Sequence, residues 1–135
     1  MVLVDASVWV RALADRAPWR NQLDRLLAGR KAAGHELVFG ELLIGNRGGR
    51  LKVLESYPLM HQAGMVPHDE VVGFARARKL PGRGAVWIDI HLLASAMVSG
   101  MQLWSADRPM AEIARELAIE YVAPPAVTSL YLPPK

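Results

Sequence analysis

Cysteine is absent from this 135-residue sequence, so neither a disulfide framework nor a thiolate metal site is available to it. That absence suits a reducing cytoplasm. Missing too is any apolar run near the ~20 residues of a membrane span. The start of the chain lacks the basic segment, long apolar core and cleavage site of a signal peptide. The expected location is therefore cytoplasmic. No internal repeat, low-complexity stretch or linker breaks the chain, and its length suits a single domain over residues 1–135. His35, His61 and His68 show no metal-ligand spacing, and His91 reads as structural or exposed, so no zinc set exists.

Charge of one sign is in modest surplus. Sixteen Lys and Arg face 13 acids, a net +3, with Arg far outnumbering Lys. From Arg11 to Lys52 there are nine bases and four acids, and from Arg76 to Arg83 four bases and no acid. Such a balance is compatible with a polyanionic partner, although many proteins without one share it.

The hydrophobic pattern alternates between strand and helix. Met1–Val4 is a continuous apolar run, the mark of a strand covered on both faces. Helical spacing follows from Ser7 to about Ala14. Pro18 suits the first turn of a second helix striped by Leu23, Leu26 and Leu27 and closed at Gly29. His35–Phe39 (HELVF) reads as a weak strand, Gly40–Asn46 and Leu51–Ser56 as helices, and Val66 as a strand end. A helix follows from Pro67 and Asp69, then a loop at Pro81–Gly84. Ile88–Ser99 is strongly helical and Gly100 closes it. Met101–Trp104 reads as a strand, Pro109–Ala118 as a helix and Ile119–Val122 as a last strand, with a proline-rich tail draped over the surface. Alternating strands and helices predict an α/β domain with a mostly parallel central sheet flanked by helices on both faces.

In such folds ligands bind beyond the carboxyl ends of the strands. Asp5 follows the first strand directly, and Asp107 follows MQLWSA at the end of a later one. Glu41 in VFGELLIG and Asp89 in AVWIDIHLLASAM stand in markedly apolar company. Four converging carboxylates repel one another and are costly to desolvate. Mg²⁺ or Mn²⁺, hard ions that seek oxygen, would remove both objections. Setting these four aside leaves sixteen bases against nine acids, a distinctly basic remainder of +7. Each acid also has an ordinary reading. Asp5 suits an N-cap, Asp89 a first-turn acid answering the helix dipole, Asp107 a turn before Pro109, and Glu41 an exposed helix position.

The stretches VDASVWV, GELLIG, WIDIHLLASAM and LWSADRPMAEIA, in that order and over essentially the whole chain, resemble the PIN-domain ribonucleases of the VapC toxin type. The resemblance implies a three-layer α/β/α PIN-like domain and a Mg²⁺- or Mn²⁺-dependent endoribonuclease of a toxin–antitoxin pair, cutting RNA to a 3′-hydroxyl and a 5′-phosphate. It carries the metal-ligand and catalytic roles onto Asp5, Glu41, Asp89 and Asp107, with Ser7 and Ser105 in support. Ala106 and Pro109 depart from the residues common in the family, which bears on substrate contacts and leaves the ligands intact.

By this reading one ion activates a water and a second, ~3.5–4 Å away, stabilises the leaving oxygen. Candidate phosphate contacts are Arg11, Arg16, Arg76, Arg78, Lys79, Arg83 and Arg108, each also readable as part of a solvated helical face. Trp9, Trp87 and Trp104 lie beside the acids in sequence; stacking on unpaired bases is open to them, but a core position is expected. The family implies a VapB-like antitoxin and a homodimer, using apolar residues of the Ser7–Leu27 and Gly40–Leu54 helices. Two rivals from other classes are a phosphoacceptor α/β domain and a noncatalytic nucleic-acid-binding module.

Overall fold

The computed structural model describes residues 1–46 and 50–124. Its centre is a parallel sheet of three short strands, β1 (Val2–Val4), β2 (Ala32–Ala33) and β3 (Gln102–Trp104), in the order β2-β1-β3. Val2 pairs with Ala32 on one side and with Gln102 on the other, and Val4 stands opposite Trp104. Single parallel bridges, Gly34 to Gln62 and Leu103 to Glu120, widen the sheet at both edges. Parallel strands require crossovers, and these are helical. They are α1 (Ala6–Leu13), α2 (Trp19–Ala28), α3 (Glu36–Ile44), α4 (Leu51–Ser56), α5 (His68–Ala77), α6 (Trp87–Ser99) and α7 (Arg108–Glu116). The result is the expected three-layer α/β/α arrangement.

The core lies between the sheet and its helices. Leu3, Val4, Val8, Val38, Leu42, Leu92, Leu93, Met110 and Ile113 are wholly buried. Helix α6 is buried along almost its whole length, which explains its run of apolar residues. Gly100, at φ 65°, closes it in the left-handed conformation that glycine adopts without a Cβ clash.

Four expectations from the sequence are corrected. The HELVF segment is the start of α3, and the second strand is the shorter Ala32–Ala33 just before it. Its β-branched and aromatic content suggested a strand, but Val38 and Leu42, four residues apart, bury one helical face. Val66 ends no strand, and Ile119–Val122 contributes only the bridge at Glu120. In both cases the apolar residues are present but the ladder of paired backbone bonds is not. Pro18 precedes Trp19 at the cap position, one residue earlier than the first turn. The proline-rich tail from Pro125 onward lies outside the described residues.

A polar staple crosses this core. The buried imidazole of His35 caps α3, its Nδ1 accepting from the Leu37 N–H at 3.0 Å. Nε2 must then carry the proton, and it donates to Ser95 Oγ of α6 at 2.9 Å. The His35 backbone N–H donates to Tyr57 Oη at 2.9 Å. Beside it, a Cβ on Gly34 would lie 2.6 Å from Gln62 Nε2 and 2.9 Å from the Tyr57 ring, so only glycine fits. Burial, and then His91, hold the His35 pKa down to about 4. The folded state therefore disfavours the charged ring, and stability is complete above pH 6.5 and lost as pH falls from there toward 4. Urea titrations should show that loss, and His35→Gln should remove most of this slope. Ser95→Ala, which strands a buried N–H, should lower stability by about 1–3 kcal/mol.

Candidate metal centre

The register of β1 against β3 builds the site. Because Val4 faces Trp104, the next residues, Asp5 and Ser105, meet at the carboxyl edge of the sheet. The Asp5 N–H donates to Trp104 O at 2.9 Å and fixes that junction. Asp5 is buried, and its Oδ2 accepts from Ser7 Oγ at 2.6 Å, from Ser105 Oγ at 3.0 Å and from the Ser7 N–H at 3.4 Å. Ser7 Oγ in turn accepts from the Ala106 N–H at 2.9 Å, and Ser105 Oγ from the Asp107 N–H at 3.0 Å. Two hydroxyls thus lace the ends of both strands to one carboxylate oxygen. The other oxygen, Oδ1, takes no hydrogen bond among the described residues.

Three of the four carboxylates also cap helices. Asp5 caps α1, and Asp107 caps α7 through the Met110 N–H. Asp89, in the first turn of α6, accepts from the Val86 N–H at 3.1 Å. The ordinary readings of Asp5 and Asp89 are therefore correct, whereas Asp107 caps a helix that contains Pro109 where a turn was expected, and none of these duties excludes a further role. Helices α1, α6 and α7 thus each begin at one of these acids.

Mutual repulsion reports the convergence. Burial first, then Asp5 and Asp107, push the Asp89 pKa up to about 6 against the Val86 hydrogen bond. Glu41 projects from α3 with much of its surface in solvent, yet its pKa is also raised, first by burial of the carboxyl end and then by Asp5 and Asp89. No Lys, Arg or His among the described residues ion-pairs with any of the four. A cluster of acids without a counter-charge is the donor set that suits a hard divalent cation. As the side chains stand, no three of them close round a single point among the described residues. The charge and oxygen chemistry of the four side chains fits such an ion.

Glu41 also lines two hollows. One, of about 610 Å³, lies between α1 and α3 with Ala6, Val10, Leu13 and Arg50. The other, of about 540 Å³, runs along α3 to Ile88. Arg50 in the first hollow carried no signal in the sequence, because a lone Arg after a glycine pair reads as a loop residue.

The basic candidates are engaged locally. Arg11 donates to Ser7 O at 2.9 Å and lies over the Trp19 ring. Arg108 pairs with Glu112 at 3.1 Å, and Arg83 with Glu116 through both guanidinium nitrogens. Trp9 and Trp104 are buried, as expected of core residues. Trp87 is not: it is 42% exposed, held at the end of α6 where the helix emerges from the core. His91 is buried beneath it.

Comparison with known proteins bears on the family and the fold. The PIN-domain family model matches residues 2–116. Ribonuclease VapC32 of Mycobacterium tuberculosis, in both the CDC 1551 and H37Rv strains, is 40% identical over 111 residues, covering 80% of this chain and 86% of the relative. The crystal structure of PAE2754 from Pyrobaculum aerophilum is similar in fold, with a TM-score of 0.53 at 21% identity over 87% of this chain and 94% of that one. At 40% identity over most of both chains the kinship is one of family as well as fold, and this chain belongs to the PIN-domain family, in its VapC type.

Proposed function

We propose that this protein is a cytoplasmic endoribonuclease toxin of a type II toxin–antitoxin pair, hydrolysing RNA phosphodiesters at the Asp5, Glu41, Asp89 and Asp107 site with Mg²⁺ or Mn²⁺. The observation that carries the reading is that Asp5 and Asp89 are both buried, near enough for Asp5 to help raise the Asp89 pKa, and that neither has an ion-pair partner among the described residues. Kinship with a protein named a ribonuclease supplies the reaction class. When bound, the divalent ion would activate a water and neutralise charge building on the phosphate.

The chain's own residues supply the rest. Asp5 is central, because the Ser7 and Ser105 hydroxyls fix one of its oxygens and leave the other toward the pocket. Asp89 and Asp107 hold the opposite side from the ends of α6 and α7. Glu41, less constrained, orients a water or completes a second ion's shell. The free N–H groups at three helix ends favour the negative charge of a phosphate held between them. Arg11, Arg83 and Arg108 are proposed to meet flanking phosphates by exchanging their present partners for RNA.

The apolar residues left exposed support a protein partner. Val10 lines one of the two hollows that contain Glu41 and Ile44 lines the other, and Leu43 on α3 and Leu51 on α4 are exposed as well. A VapB-like antitoxin seated there would cover apolar surface and reach the acids with a basic side chain, and a homodimer contact would use a neighbouring part of the same helices.

Three outcomes test this reading. Millimolar Mn²⁺ or Mg²⁺ should raise the melting temperature of the wild type and leave Asp5→Asn unchanged; a wild type indifferent to metal would sink the site. With total RNA as substrate, Asp5→Asn and Asp89→Asn should each reduce cleavage by more than ~100-fold, and Ser7→Ala by roughly 10- to 100-fold, as loss of a ligand's support does elsewhere. The raised Asp89 pKa makes the metal-free fold lose stability as pH rises through the window from 3.8 to about 6. Asp89→Asn should therefore be more stable than the wild type at pH 7 without metal, by about 1–3 kcal/mol, in paired urea titrations.

A further inference from the structure

Tryptophan is highly buried on average in soluble proteins. Here Trp9 and Trp104 are each 4% exposed, whereas Trp87 is 42% exposed and follows Val86, itself 63% exposed. The indole is fixed in place. Buried His91, four residues on, meets it nearly at right angles, at 83° with ring centroids 5.0 Å apart. The exposed His68, the first residue of α5, flanks it at 5.4 Å and 59°. A propped indole with a second ring beside it forms an aromatic shelf that pays little entropy when something stacks on it.

The shelf lies beside the carboxylates. Trp87 and Asp89 are two positions apart in the first turn of α6, about 5.4 Å between α-carbons on helix geometry. Their side chains leave that turn on different sides, Asp89 toward Asp5 and Asp107 and Trp87 toward α5. A single strand crossing the tip of α6 would place a phosphate at the acids and the adjoining base over the indole.

We propose that Trp87, extended by His68, is the stacking platform for one unpaired base next to the scissile phosphate. The proposal rests on the ribonuclease reading and adds to it a substrate class, single-stranded RNA held through a base. Aromatic faces accept any base, with larger purines stacking best. Asp69 and Glu70 follow His68 in the first turn of α5. They repel phosphates on the far side, so the platform takes one base and the backbone turns back over α6.

Binding measured in EDTA separates this proposal from cleavage. Fluorescence anisotropy would compare a nine-residue oligoadenylate with a ribose-phosphate chain of the same length that lacks bases. Wild type should bind the oligoadenylate roughly 5- to 100-fold more tightly, the gain one stacked base supplies. Trp87→Ala should lose that preference while binding the abasic chain as wild type does, and Trp87→Phe should retain most of it. Equal binding of oligoadenylate by wild type and Trp87→Ala overturns the platform, as does an equal loss on both ligands. If wild type keeps the base preference and Trp87→Ala loses it, but no RNA is cut with Mg²⁺ or Mn²⁺, the nuclease reading falls and the base contact stands. Cleavage with no base preference leaves the nuclease and removes the platform.

Discussion

Negative charge held at the carboxyl edge of a parallel sheet is the constraint on which the rest of this structure turns. Asp5 is buried one residue past the central strand. A carboxylate there is tolerable only because two hydroxyls and a backbone N–H converge on one of its oxygens. Those hydroxyls are themselves held by the Ala106 and Asp107 amides. The same bonds therefore stabilise the acid, join β1 to the loop after β3, and set the direction in which Asp107 leaves that loop. Removing a hydroxyl disturbs all three at once.

Capping engages three of the four acids. Asp5, Asp89 and Asp107 answer the exposed N–H groups of α1, α6 and α7, and each is partly stabilised by the positive end of its helix. That stabilisation is shared out among acids that repel each other, and the raised Asp89 and Glu41 pKa values measure what is left uncompensated.

The scaffold opposite is built to resist that repulsion. His35 ties the start of α3 to the middle of α6 through Ser95, and its backbone to Tyr57. Glu41 rides on the first of those helices and Asp89 on the second, so a staple at zero exposure keeps their spacing from relaxing. The solvent-facing Trp87 lies in the first turn of α6 with Asp89, flanked by His68 of α5 and propped by His91.

Much of this was legible in the amino-acid sequence because its signals are local. A continuous apolar run ending in Asp, a helix closed by Gly100 and an acid in the first turn of a long apolar helix each follow from a few neighbouring residues. The alternation of strand and helix gave the α/β class and, with parallel strands, the edge where Asp5 and Asp107 had to emerge. What the sequence could not decide depended on contacts across the chain. HELVF carries strand-like residues and is helical because Val38 and Leu42 meet the core on one face. Ile119–Val122 is apolar enough for a strand but finds only one bridging position. Trp87 and Trp104 both sit in apolar runs, and only packing buries one and exposes the other. Glu41, mid-helix with no capping duty, comes within electrostatic reach of Asp5 and Asp89 only through the packing of the chain. Composition and short-range pattern determine where a chain bends and which residues seek the interior; that Asp5 and Ser105 meet is settled by the register of β1 on β3, a long-range pairing no short stretch encodes.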